Sequence, residues 1–243
     1  MIITIYSIVL AYFLLGFVCF YFINSKKEIT RIHQSWMKTI IYFLIFNLVF
    51  FSIVVNPVVY RYLSVIIVIE GFYELLRLFI KSGFRQKGFF LFSVLYYSIL
   101  SAGFIYFSML NDWHLILYSF MIISAFDSFS QITGELLGKR KILPRISPGK
   151  TVEGFIGGSV VAIASAFLLN SLNHADFRET FFLGAGLAFF GFIGDASASF
   201  YKRKYGVKDF LNIIPWHGGF LDRFDSLIAG GFWIALSGIL NIF

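Results

Sequence analysis

Between Ser199 and Asp225 the chain gathers Lys202, Arg203, Lys204, Lys208, Asp209, His217, Asp222, Arg223 and Asp225 into one short run with apolar sequence on both sides. Carboxylates beside clustered cations are the groups that hold a metal ion and phosphates. A Lys, Arg or Asp at the centre of a bilayer costs roughly 2.5–3.5 kcal/mol on insertion scales. The run is therefore expected at the membrane–water boundary. Gly218 and Gly219 let backbone approach a ligand closely. Arg223 can grip a phosphate with two parallel hydrogen bonds, or form a simple ion pair with Asp225. His217 reads equally well as a structural loop histidine, and Lys202, Arg203 and Lys204 as a basic anchor at the membrane surface.

Three further groups carry potential chemistry. Asp127 follows the apolar run Leu115 to Phe126, and Glu135 lies eight residues further on. A carboxylate at the depth of Asp127 is a functional candidate, with helix packing as the plainer reading. Ile146-Ser147-Pro148-Gly149-Lys150-Thr151-Val152-Glu153-Gly154 enters another apolar stretch. Ser147, Pro148 and Thr151 suit a helix N-terminus and Glu153 its first turn, so exposed N–H groups with Lys150 would bind an anion. Gly149-Lys150-Thr151 is like the end of a Walker A loop, but position 144 is Pro144 and no strand is expected before it, which excludes a P-loop. Asp195, with Ser197 and Ser199 close by, interrupts the apolar run Phe181 to Ile193. The chain returns to the same membrane face at Asp222, so the two carboxylates can converge. Hard oxygen ligands of this kind suit Mg²⁺, which takes one or two carboxylates together with substrate phosphates.

These groups need a scaffold, and composition defines it. Of 243 residues 58% are hydrophobic and only 14% charged, against about a quarter charged in soluble domains. Mean hydropathy is +0.81. The reading is an all-α polytopic integral membrane protein of about eight transmembrane helices, near 2–24, 38–57, 60–80, 89–110, 114–137, 152–172, 180–200 and 224–242. The third is the weakest, because it carries Glu70, Glu74 and Arg77. The first lacks a basic leader and a small-residue cleavage site, and so is expected to be a retained helix and not a signal peptide. One membrane domain, 1–243, is expected, with N-terminal helices over 1–110 and catalytic helices and loops over 111–243.

Charge fixes the expected orientation. Lys26, Lys27, Arg31 and Lys38 fall between the first two helices; Arg77, Lys81, Arg85 and Lys87 lie at or after the end of the third. Lys139, Arg140, Lys141, Arg145 and Lys150 follow the fifth, and Lys202, Arg203, Lys204, Lys208 and Arg223 the seventh. Only Arg61 and Arg178, of 20 Lys and Arg, fall in the other set of loops. Basic loops face the cytoplasm, so both termini are expected outside and both motif-bearing loops inside. The net charge of +7 thus reflects topology, and no nucleic-acid partner is expected. The single Cys19 excludes an intrachain disulfide.

From Asp127 to Ser226 the sequence resembles the phosphatidate cytidylyltransferase (CDP-diacylglycerol synthase) family. The resemblance rests on Ser199, Lys202-Arg203, Lys208-Asp209, Pro215-Trp216-His217-Gly218-Gly219 and Asp222-Arg223-Phe224-Asp225, in gapless register. Ser147 to Gly154 and Gly134 with Gly138 add to it. Two departures stand out: Ser128-Phe129 follows Asp127 where the family has a small residue and Tyr, and Trp216 replaces the Gly before the His. The resemblance implies transfer of the cytidylyl group of CTP to phosphatidate in the inner leaflet, giving CDP-diacylglycerol and pyrophosphate for phospholipid biosynthesis. It implies Mg²⁺ on Asp195 and Asp222, with Mn²⁺ as a substitute and room for a second cation. Lys202, Arg203, Lys208 and Arg223 would hold phosphates. Ser199 and His217 would orient ligands. Ser147, Lys150, Thr151, Asp127, Gly218 and Gly219 would contribute to substrate binding. The implied location is the plasma (inner) membrane with the site facing the cytoplasm, and a homodimer is left open. Two alternatives stand beside this reading: the same transfer to an ether or isoprenoid lipid phosphate, and a membrane transporter.

Overall fold

The computed structural model describes residues 2–24, 29–110, 112–211 and 218–240, with backbone alone for residue 24, for 29–35 and for residue 110. Among the described residues eight α-helices follow one another: α1 (Ile2–Asn24), α2 (Ile29–Val55), α3 (Pro57–Lys81), α4 (Lys87–Leu110), α5 (Trp113–Leu137), α6 (Val152–Leu168), α7 (Phe177–Lys204) and α8 (Leu221–Ile239). The protein is an all-α polytopic membrane protein apart from one small hairpin. Among the described residues, α1, α2, α4, α5 and α7 each contain a stretch long and apolar enough to cross a bilayer. The shorter α6 is apolar, whereas α3 carries Glu70, Glu74 and Arg77, and α8 carries Asp222, Arg223 and Asp225.

Local chemistry sets the ends. Asn56 caps α3, its side chain accepting the Val58 N–H at 3.0 Å, with Pro57 in the first turn, where its missing N–H is harmless. Asp176 and Glu179 form a reciprocal capping box at the start of α7, satisfying two otherwise unpaired donors. At about 1.5 Å per residue, the 28 residues of α7 run to about 42 Å, longer than the roughly 30 Å hydrocarbon core. Its last turn can therefore emerge at the interface.

Two boundaries differ from the sequence reading in ways that matter. Lys202, Arg203 and Lys204 form the last turn of α7 and are not in a loop; cations there complement the helix dipole. Asp222 and Arg223 belong to the first turn of α8, where a carboxylate is favoured. The third difference lies at 141–151. Ser147, Pro148 and Lys150 do not open a helix: Ser147–Thr151 forms β2, paired antiparallel with β1 (Lys141–Leu143). A short strand does precede Gly149, but only as the partner of β2, and Pro144 still excludes a P-loop. Pro144 sits in the turn and Pro148 lacks a donor, so neither can support a helix interior. Thr151 alone keeps the expected role: its Oγ1 accepts the Gly154 N–H at 3.1 Å and caps α6.

α5 is the central helix, packed against α1, α2, α6, α7 and α8. Small residues let α6 close on it: a methyl group at Gly158 would stand 2.7 Å from Ser130 Cβ, and one at Gly154 2.7 Å from the Ser130 carbonyl. In lipid, where the hydrophobic effect does not draw helices together, such close backbone approach is what holds them. The same device joins α7 to α8, where a methyl at Gly194 would collide with the backbone of Asp225. These contacts bring Asp127 on α5, Asp195 on α7 and Asp225 on α8 to a common level.

Candidate functional site

Two aspartate–lysine pairs define the site. Lys150 reaches from β2 to the C-terminal half of α7, its Nζ 2.5 Å from Asp195 Oδ2. Ser199, one turn further along α7, donates to Asp195 Oδ1 at 3.3 Å. Lys202, on the last turn of α7, pairs with Asp222 Oδ1 at the start of α8. Asp222 Oδ2 accepts the Gly219 N–H at 2.8 Å and the Phe210 N–H at 3.2 Å. The Lys202 and Asp222 side chains are 9% and 3% exposed, whereas Asp195 keeps 40%. A buried charge pair persists only when its remaining hydrogen bonds are met; Asp222 meets that condition through two backbone amides.

Two more carboxylates complete the cluster. Asp225 is buried, one turn along α8 from Asp222. It lies within electrostatic reach of Asp195, Lys202, Asp127 and Asp222. Its hydrogen bond among the described residues is from the adjacent Ser226 N–H, at 2.8 Å. Asp127 accepts from Ser226 Oγ at 3.2 Å and is likewise within reach of Asp195, Lys150 and Arg223. Four carboxylates and three cations thus meet where α5, α7 and α8 converge. No ion pair joins Arg223 to Asp225, so the simple pairing considered from sequence is not formed; Arg223 is exposed.

Other expected residues fall into distinct places. Arg203 donates from Nε to the Ile146 carbonyl at 2.9 Å and from Nη1 to the Val207 carbonyl at 2.8 Å. It ties the hairpin to the end of α7, with three of five donors left over. Lys208 is exposed, and Ser147 is half-buried in β2. Thr151 is buried and committed to its cap. Glu153 latches the hairpin to α6 by accepting the Lys139 and Arg140 N–H groups. Glu135 accepts from Gln131 at 3.0 Å, near the end of α5. His217 lies outside the described residues.

Gly218 has φ +84°, and a methyl there would stand 2.8 Å from Asp222 Oδ2. A side chain is excluded twice over, by backbone conformation and by space. Gly219 faces a residue that sequence reasoning missed. Glu74 of α3 is fully buried, and its two oxygens accept the Phe220 and Leu221 N–H groups, each at 2.8 Å. It therefore caps α8 from outside, immediately before Asp222. A methyl at Gly219 would come within 2.5 Å of Glu74 Oε1. The signal was present: Glu74 is a carboxylate inside an apolar helix, the pattern that singled out Asp127.

The donor set suits a hard divalent cation. Asp195 is partly exposed, and Asp225 has lone pairs without donors among the described residues. Asp222 retains one of its roughly four lone-pair sites. No three of His, Cys, Asp and Glu among the described residues close into a ready-made cage. Mg²⁺ does not require one, because it keeps waters and takes substrate phosphates beside one or two carboxylates.

Residues 1–238 match the model of the cytidylyltransferase family. The chain is 41% identical over 168 residues to a phosphatidate cytidylyltransferase of Staphylococcus haemolyticus, a stretch covering 67% of this chain and 62% of that protein. It is 39% identical over 168 residues to the protein of the same name from Staphylococcus aureus, with the same coverage. Identity to the one from Bacillus subtilis is 40% over 149 residues, or 60% of this chain and 55% of that protein. The matched stretch thus spans less than two thirds of these relatives' length.

Proposed function

The chain belongs to the cytidylyltransferase family, and from that premise we propose that it transfers the cytidylyl group of CTP to phosphatidate, giving CDP-diacylglycerol and pyrophosphate. The observation that carries the proposal is the pair of aspartate–lysine contacts, Lys150–Asp195 and Lys202–Asp222, at one end of an apolar bundle. The relatives named phosphatidate cytidylyltransferase support the choice of nucleotide and acceptor.

The acceptor is its own nucleophile. An oxygen of the lipid phosphate bonds to the α-phosphorus of CTP. The bond from that phosphorus to the oxygen bridging the α- and β-phosphates breaks, and pyrophosphate leaves with that oxygen. No enzyme nucleophile is needed; Cys19 sits on α1, which carries none of the four carboxylates. The obstacle is bringing two polyanions together, and the protein's task is positioning and charge compensation.

The residues divide that task. Lys150 and Lys202, each held by a carboxylate, present ammonium donors at fixed points for phosphate oxygens. Arg223 and Lys208, both exposed, are placed to take further phosphate oxygens, Arg223 bidentately. Ser199 fixes the Asp195 carboxylate, and the Phe210 and Gly219 amides fix Asp222. Asp195 and Asp222 would hold Mg²⁺, with Asp225 beside them for a second cation. Bound Mg²⁺ supplies neutralisation of the triphosphate and of the departing pyrophosphate. The basic loops support placing this end of the bundle in the cytoplasm, at the plasma membrane, where CTP is available.

The test is direct. Purified protein in mixed micelles should release pyrophosphate from CTP only when phosphatidate and Mg²⁺ are both present. Release without phosphatidate, or none with all three components, overturns the reading.

A further inference from the structure

Two apolar clefts flank the carboxylate cluster, and they differ in ways that distinguish a ligand slot from a packing fault. One lies between α1, α2 and α5 and encloses about 60 Å³. No charged side chain lines it. At its polar end Tyr42 is tied to the Ser124 carbonyl and to Ser128 Oγ, at 3.4 and 3.3 Å. The other lies between α4, α7 and α8 and encloses about 260 Å³. Its wall includes Asp225 and Gly194 of the site itself, and Phe210 and Leu221, which flank the Gly218-Gly219 turn.

The second cleft is shaped for a chain. On α4 its lining runs Phe89, Phe92, Ser93, Tyr96, Tyr97, Leu100, a stripe with helical spacing along one face. Those 11 steps cover about 16 Å, close to half of the roughly 30 Å hydrocarbon core. The stripe starts beside the basic end of the bundle and ends near the membrane middle. Its flank is open to the membrane: Phe92 is 68% and Phe200 44% exposed.

The mouth carries the complementary charge. Phe89 and Phe210 both line the cleft at the motif-bearing end, and each has a lysine over its ring. Lys204 Nζ lies 5.8 Å from the Phe89 centroid and Lys202 Nζ 5.4 Å from that of Phe210. Lys204 is exposed, whereas Lys202 on the same turn is buried and paired with Asp222. An apolar slot half a bilayer deep, open to lipid and with the exposed ammonium of Lys204 over its mouth, suits one amphiphile: a lipid with an anionic headgroup.

We infer that the α4–α7–α8 cleft holds an acyl chain of the acceptor lipid and that Lys204 contacts its phosphate. This rests on the proposed transfer to a lipid phosphate and specifies where that lipid enters. The chain lies in the slot, the phosphate stays at the level of Lys204 and Lys202, and the nucleotide reaches the same carboxylates from the aqueous side.

The experiment has a binding arm and a kinetic arm, both on the full chain. Phosphatidate with a diazirine on one acyl chain is photolysed with the protein in micelles, and adducts are mapped by mass spectrometry. Adducts are expected in Phe92–Leu100 and at Phe200, suppressed by excess unlabelled phosphatidate and not by phosphatidylcholine. Adducts confined to α1 and α2, or equal suppression by both lipids, overturn the assignment. In the kinetic arm, Ser93→Trp fills the slot and should lower kcat/KM at least tenfold for dioleoyl phosphatidate and less than twofold for the dihexanoyl form. Gly16→Leu lines the smaller cleft, where an added Cβ meets nothing within 4 Å, and should change neither. Lys204→Met should raise KM for phosphatidate about tenfold and leave KM for CTP unchanged. Equal loss on both chain lengths, or chain-dependent loss from Gly16→Leu, overturns the slot. Specific crosslinking without pyrophosphate release from CTP would leave the slot standing and remove the transfer reading; release with crosslinks elsewhere would do the reverse.

Discussion

Glu74 and Leu221 stand 147 positions apart in the chain and 2.8 Å apart in space, carboxylate oxygen to amide nitrogen. Its other oxygen takes the Phe220 amide, so one buried side chain of α3 fixes where α8 begins and hence where Asp222 points. Leaving a buried N–H unsatisfied costs about 1–3 kcal/mol. Glu74→Gln keeps the shape but turns one acceptor oxygen into a donor facing an N–H. Should that misplacement be felt at the reacting groups, the rate falls by roughly 5- to 150-fold. The expected signature is a drop in kcat at unchanged detergent-extracted yield. Gly219→Ala, which drives a methyl against the same carboxylate, should behave alike. Wild-type kcat in both variants would show that the cap is dispensable.

Much of the site could be read from sequence because carboxylates in apolar runs are conspicuous. Asp127, Asp195, Asp222 and Asp225 all stood out, and the fold brings them together. Glu74 carried the same signal, but its partners are backbone amides of a distant helix, and no spacing rule reaches across 147 positions. The hairpin at 141–151 was hidden because Ser147, Pro148 and Thr151 also fit a helix start. The extension of α7 to Lys204 was hidden because dense charge reads as loop, although Lys and Arg are good helix formers and complement a helix C-terminus. In the sequence Lys150 reads as an anion ligand at a helix end; only the fold reveals that it reaches Asp195.

Topology can be checked without any assay of activity. Ser171 is exposed in the turn between α6 and α7, and Arg140 is exposed immediately before β1. With Cys19→Ser as background, a membrane-impermeant maleimide applied to intact cells should label Ser171→Cys and spare Arg140→Cys until the cells are opened. The reverse pattern would place the site outside and remove its access to cytoplasmic CTP.

Nucleotide choice is a separate matter. The family and the named relatives lead to an expectation of turnover with CTP well above ATP or GTP at equal concentration. Lys150, Lys202 and Arg223 recognise phosphates, which all three nucleotides share, so the base must be read elsewhere. Equal pyrophosphate release from ATP would sink the assignment to cytidylyl transfer while leaving the phosphate-binding site intact.

The metal assignment makes the sharpest demand on the carboxylates. Asp195→Asn and Asp222→Asn preserve shape and remove charge. Losing a ligand that compensates transition-state charge is worth several kcal/mol, hence about a thousandfold or more in rate. Both variants should lose CDP-lipid formation while inserting and purifying normally. Asp225 is the discriminating case. It makes no ion pair with Arg223 and lies buried within reach of Asp195 and Asp222, so its effect cannot be explained by orienting that arginine. If it serves a cation, Asp225→Asn should raise the Mg²⁺ concentration needed for half-maximal rate at least tenfold. If it only packs, the Mg²⁺ dependence should stay at the wild-type value. Retention of more than about a tenth of the wild-type rate by Asp195→Asn or Asp222→Asn at saturating Mg²⁺, a difference under about 1.4 kcal/mol, would remove that residue from the metal site.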